Sequence, residues 1–191
     1  MKKIMFNDSY GLTEAVLQGR KTMTRRSITK YTYNCIDFKA LNEGNNKCYE
    51  ADGDWYDYRL AAYYKIGEIV AVAQSYANLN AQGLLLDDGK QTLANSKGWN
   101  SKMFVKADLM PHQIRIADVR IERLQDISDE DCLREGIEHI SRGYVFDPMP
   151  NDVDDFRTPR EAFAALIDII GGKGTWGSND YVWVYEFELV K

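Results

Sequence analysis

The chain has 191 residues, a length that suits one domain or a compact core with large insertions. Asp and Glu outnumber Lys and Arg by 29 to 24, and the net charge of −5 argues against a protein that binds duplex nucleic acid mainly by neutralising phosphates. Hydrophobic residues make up 45% and charged residues 28%, which are the values of a globular chain rather than a disordered one.

Several further classes of protein are disfavoured by what the sequence lacks. It has no apolar run of about 18 residues, which a membrane span would need, and its first residues do not resemble a secretory signal. The three cysteines, Cys35, Cys48 and Cys132, have no paired spacing, which disfavours a disulfide framework and fits a reducing cytoplasm. With only His112 and His139 and no glycine-rich nucleotide motif, the sequence predicts neither a zinc site nor a cofactor.

The first predicted elements are a short helix and a polar strand. The helix covers residues from about 9 to 18, with Leu12 and Val16 directed inward, and Gly19 follows its end. The strand covers residues 22–27. The connection between them is therefore a tight turn that contains Gly19.

The middle of the chain has two strand signals. Residues 66–72 are predicted to form a turn followed by a buried strand. Apolar residues alternate again over residues 114–124, but the phase of the alternation changes at Ala117 and Asp118. Such a change of phase predicts a β-bulge or a bend within a single strand.

Two later helices carry capping signals. Ser128 precedes three acidic residues, and Gly136 follows after about two turns, which is typical of a short helix. Thr158 and Glu161 form a capping-box pattern with a proline at the first helical position. The apolar residues that follow have spacings of 3, 4 and 7, which place them on one face of the second helix.

The remaining pattern predicts the fold class. Residues 181–189 alternate, with aromatic residues and Leu on one face, and form a last strand. Polar stretches at about 29–62, 77–101 and 138–157 are predicted to be long loop insertions. Together the elements favour an α+β fold, a small curled sheet or barrel with helices at its ends, in a single domain over residues 1–191.

The densest polar segment covers residues 19–26, which hold four cations and two hydroxyls in an acidic protein. One interpretation of this segment is a solvated basic turn. The other is a reactive site, because a desolvated lysine can act as a base and a threonine hydroxyl beside it becomes a nucleophile. In a regular strand Lys21 and Thr24 would point to opposite faces, so they converge only if Lys21 lies in the turn after Gly19, or if a bulge intervenes.

Residues 17–26 also resemble the opening motif of the ASCH domain family, whose fold is like the PUA RNA-binding β-barrel. The resemblance continues through residues 64–72, 116–136 and 182–187, so that the matched pieces span about half of the chain. Residues 119–128 are similar to those of ASCH-like proteins of phages and prophages. The resemblance therefore implies a PUA-like barrel with flanking helices.

One enzymatic branch of that family hydrolyses acetylcytidine to cytidine. By the resemblance, Lys21, Thr24 and Glu135 fall on the Lys, Thr and Glu of its motif. Their implied roles are a base, a nucleophile and a carboxylate that relays protons or activates water. Arg25 stands where that branch has an aliphatic residue, which implies a changed pocket.

Five residues are predicted to bind substrate. Arg20, Arg25 and Arg26 offer planar forks for carbonyl or phosphate oxygens, and Arg20 or Arg26 is predicted to stabilise an oxyanion. Tyr76 and Trp99 are predicted to stack a base. Core or loop packing is the alternative for each of these two aromatic residues.

Three functions stay open. The first is a cytoplasmic ASCH-domain protein that binds a nucleobase or modified nucleoside and hydrolyses the amide of an acylated cytidine. The second is a non-catalytic module for single-stranded RNA or a modified base, with weak or no binding to duplex DNA and none to membranes. The third is a phage accessory protein that binds a host protein through its aromatic loops. The sequence leaves the oligomeric state open.

Overall fold

A computed structural model describes residues 1–45, 47–49, 53–85, 87–147 and 155–190 of the chain. Its strands, β1 to β9 in chain order, are Lys2–Ile4, Met23–Ser27, Lys47–Tyr49, Trp55–Asp57, Ile69–Val72, Gln113–Arg123, Glu138–Ile140, Gly143–Val145 and Tyr181–Leu189. Its α-helices, α1 to α8, are Leu12–Leu17, Lys30–Cys35, Phe38–Asn42, Tyr76–Ala81, Asp87–Ala94, Asp129–Arg134, Pro159–Gly171 and Thr175–Ser178. Short 3₁₀-helices lie at Asp8–Tyr10, Tyr58–Ala61, Lys102–Phe104, Ala107–Leu109 and Leu124–Asp126.

Five strands form one mixed sheet in the order β1-β5-β6-β9-β2. Strand β1 is parallel to β5, and the other neighbours in this sheet are antiparallel. The predicted α+β class is confirmed. Among the described strands, the hydrogen-bonded order is open, with β1 and β2 at its edges, so the closed PUA-like barrel stays a prediction.

The longest strand pair confirms the predicted bulge. Strands β6 and β9 pair from Ile114 opposite Leu189 to Arg123 opposite Tyr181. Their register shifts between Ile116 and Asp118, where the apolar phase of the sequence changes. The shift lets one continuous strand contribute apolar side chains to the core on both sides of the bulge.

Both capped helices form as predicted. The Ser128 hydroxyl accepts a hydrogen bond from the amide of Asp131, and Thr158 and Glu161 form a complete capping box. The predicted helix at residues 9–18 is too long. Gly11 takes a left-handed conformation with φ of 59° and separates a 3₁₀ turn from α1.

The three stretches predicted to be loop insertions contain regular secondary structure, although parts of each lie outside the described residues. The first contains α2, α3 and the hairpin β3-β4, the second contains α4 and α5, and the third contains the hairpin β7-β8. Local capping explains three of these helices, because the side chains of Thr29, Asp37 and Ser75 each accept a hydrogen bond from an amide in the first helical turn. The polar composition of these stretches predicts loops, so the sequence analysis did not recognise these residues as helix caps.

Two groups of buried side chains hold the described elements together. The larger joins the sheet to α1 and α7 and includes Trp183 and Tyr185. The smaller is centred on Tyr76 and Leu79 of α4. None of the helices described here has both the length and the apolar character that a bilayer crossing demands.

Candidate functional site

The turn between α1 and β2 places Lys21. Gly19 is left-handed with φ of 73°, and the amides of Arg20 and Lys21 both donate to the carbonyl of Ala15 at 2.9 Å. Strand β2 begins only at Met23. Of the two arrangements that would let Lys21 and Thr24 converge, the structure has the first: Lys21 lies in the turn after Gly19, so the alternation of a regular strand does not separate its side chain from that of Thr24.

Lys21 and Glu135 form a buried ion pair. The Lys21 Nζ donates to Glu135 Oε2 at 2.6 Å and to the Glu135 carbonyl at 2.7 Å, and both residues are less than 5% exposed. Glu135 ends α6, and Gly136 turns the chain with φ of 106°. A Cβ on Gly136 would lie 3.2 Å from Leu12 and 3.7 Å from Lys21 Cδ, so glycine allows the close approach.

Arg25 connects this pair to two further carboxylates. Its guanidinium donates to Glu135 Oε1 at 3.1 Å, makes a short ion pair with Glu122 and lies 3.4 Å from Asp131 Oδ2. The Arg25 side chain is only 2% exposed. Arg25 was predicted to bind substrate; in the structure its guanidinium is engaged with the carboxylates of Glu122, Asp131 and Glu135.

Burial lowers the pKa of both cations, but the net pKa shifts of Lys21 and Arg25 have opposite signs. Burial lowers the pKa of the Lys21 ammonium below its usual value; the charge and hydrogen bond of Glu135 oppose this only in part, and Arg26 and Arg25 lower it further. Burial would also lower the pKa of Arg25, but the charges of Glu135 and Glu122 raise it overall. Lys21 is therefore the cation that releases its proton more readily.

One cavity of about 110 Å³ brings the three predicted catalytic residues together. We call it the charged cavity, and its polar lining consists of Asn7, Lys21, Thr24, Arg25, Arg26 and Glu135. Met5, Phe6, Leu12 and the apolar face of α7 complete its walls. Ligand pockets usually exceed about 300 Å³, so this space fits a small group such as an acyl chain rather than a whole nucleoside.

The other predicted substrate-binding residues lie elsewhere. Arg20 forms a half-exposed ion pair with Glu138 at 2.8 Å and does not line the charged cavity. Tyr76 is buried in the smaller core, where its hydroxyl accepts a hydrogen bond from the Lys106 amide at 2.9 Å, and Trp99 packs against the same core. The geometry of the charged cavity gives no support to a role for these three residues.

Sequence reasoning missed Phe6, Glu122 and Asp131. The centroid of the Phe6 ring lies 5.8 Å from Lys21 Nζ and 5.6 Å from Arg26 Cζ, which places both cations within reach of the ring face. Asp131 had been assigned only a role at the start of α6. No local pattern connects Glu122 to Arg25, because they become neighbours only through the order of strands β6, β9 and β2.

Neither a search for metal-binding groups nor a comparison with known proteins gives further information about the site. Within the described ranges, no group of three or more His, Cys, Asp or Glu side chains is placed to hold a metal ion. Comparison of the chain with protein-family models, with curated proteins and with solved structures gave no match. The resemblance to the ASCH family therefore stays a prediction from the sequence.

Proposed function

We propose that the protein is an amidohydrolase that removes the acyl group from an acylated cytidine through Lys21, Thr24 and Glu135. The observation that carries the proposal is that these three residues line one cavity, although they come from a turn, a strand and a helix end. The class of substrate follows from the resemblance to the ASCH family.

The first step needs a base and a nucleophile. Burial lowers the pKa of Lys21, which favours the neutral amine that a general base requires. In the proposed reaction Lys21 Nζ takes the proton of the Thr24 hydroxyl, and Thr24 Oγ1 attacks the amide carbonyl carbon. Arg26, the remaining arginine in the cavity lining, stabilises the oxyanion of the tetrahedral intermediate.

The second step releases the two products. Lys21 returns its proton to the exocyclic amine of the cytosine ring as the C–N bond of the amide breaks. The acyl group is left as an ester on Thr24 Oγ1. Glu135 then takes a proton from a water molecule, whose oxygen attacks that ester, and the proton passes back to Thr24 as the acid leaves. The sum is one amide and one water converted to an amine and a carboxylic acid.

The test is turnover of N4-acetylcytidine, followed by chromatographic separation of cytidine. Thr24→Ala is expected to abolish turnover, because it removes the nucleophile. Lys21→Arg is also expected to inactivate, because arginine keeps the charge but stays protonated. Thr22→Ala is the matched control, since Thr22 accepts a hydrogen bond from Arg134 and does not line the charged cavity. Full activity of Lys21→Arg would contradict the proposed base.

A second candidate is a non-catalytic module that binds a base or RNA. It is favoured by the fact that both hydrogen bonds of Lys21 Nζ go to Glu135 and neither goes to Thr24. In this alternative the ion pair only fixes α6 against β2. Absence of turnover on any acylated nucleoside, with retained binding of the nucleoside, would favour this second candidate.

A further inference from the structure

A second and larger cavity lies beside the charged cavity, near the open sheet edges β1 and β2. It has a volume of about 340 Å³, within the range of small-molecule pockets. We call it the aromatic cleft because four of its eleven lining residues are aromatic, namely Tyr63, Tyr64, Trp183 and Tyr185. No Asp or Glu is among the described residues that line it.

Two observations connect the aromatic cleft to Thr24. Met5 and Arg26 line both cavities, so the two spaces adjoin at these side chains. In the pairing of β2 with β9, Thr24 lies opposite Tyr185 and Arg26 lies opposite Trp183. Residues directly opposite each other in an antiparallel pair share a face of the sheet, so the proposed nucleophile and the aromatic rings are on the same face.

The rings form a rigid apolar wall. The Tyr64 and Tyr185 rings pack edge to face with their centroids 5.3 Å apart, and the centroids of Trp183 and Tyr185 are 6.3 Å apart. The Tyr64 hydroxyl donates to the carbonyl of Lys3 at 2.9 Å, which fixes its ring. Tyr63 is 64% exposed and stands at the rim, where a flat ligand can reach it.

Arg26 is one of several polar residues that line the cleft, together with Lys3, Ser27, Thr29 and Thr32. Its Nη2 donates to the Met5 carbonyl at 2.6 Å, but its Nε is buried and has no hydrogen-bond partner among the described residues. A buried N–H without an acceptor is unfavourable. A ligand carbonyl or ring nitrogen that enters beside Arg26 would supply the missing acceptor after a small movement of the guanidinium.

We infer that the aromatic cleft binds the leaving group of the reaction, a neutral planar heteroaromatic ring with an exocyclic amine and an adjacent acceptor atom. This inference rests on the proposed function. The ring packs against the tyrosine and tryptophan side chains and accepts a hydrogen bond from Arg26. The acyl group extends past Met5 and Arg26 into the charged cavity, which is large enough for it but not for the ring.

The test is a titration of the wild-type protein with cytidine, which carries no acyl group, followed by calorimetry. Tyr63→Ala and Arg26→Met are each expected to weaken binding about tenfold, which corresponds to the loss of one stacking or hydrogen-bond contact. Tyr31→Ala is the matched control, because Tyr31 is an 80% exposed tyrosine that does not line the cleft. Thr24→Ala is expected to leave cytidine binding unchanged.

The outcomes separate this inference from the proposed function. Absence of saturable binding, or equal affinity of the wild type, Tyr63→Ala and Arg26→Met, would overturn the cleft assignment even if the protein hydrolyses acylated cytidine. Cytidine binding that both substitutions weaken supports the assignment even if no turnover is found. If cytidine binds, a parallel titration with a single-stranded oligocytidine distinguishes a free nucleoside from a residue of RNA as the source of the ring: tighter binding of the oligocytidine favours RNA, and equal or weaker binding favours the free nucleoside.

Discussion

The charged cavity and the aromatic cleft adjoin at Met5 and Arg26, yet they are built on opposite principles. The charged cavity measures about 110 Å³, and its buried cations are engaged with carboxylates. The aromatic cleft measures about 340 Å³, and four of its eleven lining residues carry aromatic rings. Position in the sheet alone therefore does not decide the character of a pocket.

The difference follows from what burial costs each kind of group. A buried charge is tolerated only when an opposite charge and hydrogen bonds compensate it, so the space around Lys21 and Arg25 is filled with their partners. Aromatic carbon needs no such partner, and a cleft lined with rings can stay open to a ligand. This difference is why we propose chemistry in the small cavity and recognition in the large one.

The largest expected effect is on stability and concerns Arg25. Arg25→Met removes the shared partner of Glu122, Asp131 and Glu135, and we expect it to lower the free energy of unfolding by about 3–5 kcal/mol. Arg20→Met, which breaks an exposed ion pair, should cost less than about 1 kcal/mol. Urea denaturation measures both. Equal stability of the two variants would show that buried ion pairs do not hold the charged cavity together.

The next effect is on the reaction. Glu135→Gln keeps the shape of the side chain but loses the carboxylate, and we expect kcat for acetylcytidine to fall by about 10²-fold or more. Glu138→Gln changes a neighbouring carboxylate that does not line the charged cavity and should leave kcat unchanged. If Glu135→Gln retains the wild-type kcat, Glu135 serves only to anchor Lys21.

A smaller effect is expected outside both cavities. Tyr76→Phe removes the hydroxyl that accepts a hydrogen bond from the Lys106 amide, which should cost about 1 kcal/mol of stability. Cytidine affinity should not change, because Tyr76 lies in the smaller core. A tenfold loss of affinity in a titration would restore the sequence-based prediction that Tyr76 binds substrate.

The smallest effect is the pH dependence of stability due to Lys21. Burial lowers its pKa in the folded protein, whereas the unfolded chain keeps a value near 10.5. Between these two values the unfolded chain binds more protons, so the free energy of unfolding gains a contribution that rises with pH. Lys21→Met should remove this contribution in urea denaturation at about pH 8 and about pH 10. An unchanged pH dependence would contradict the lowered pKa.

The features that could be predicted from sequence are those that neighbouring residues determine. The capping box at Thr158, the cap at Ser128 and the bulge between Ile116 and Asp118 all depend on a few adjacent side chains. The turn that places Lys21 depends on Gly19 in the same way. The short helices within residues 29–62 and 77–101 were not predicted, because these stretches are polar and polar composition was interpreted as loop although capping residues are present.

The features that could not be predicted depend on strand order. Arg25 was expected to face substrate, but it is buried against Glu122 of β6 and Asp131 of α6, two residues far away in the chain. Only the resemblance to the ASCH family predicted that Lys21, Thr24 and Glu135 share one site; no pattern in the sequence itself did so. The aromatic cleft was not predicted at all, because its rings come from β9 and from a connection near Tyr63.

Strand β9 lies between β6 and β2 in the sheet, although the ribosome makes β2 early and β9 much later. The nascent strand that carries Thr24 and Arg26 therefore emerges without the neighbour that will hold it. Until residues 181–189 follow, its backbone groups are open to pairing with another chain, a state that favours aggregation. The aromatic cleft includes Trp183 and Tyr185 of β9, so it is incomplete on any chain that still lacks this strand.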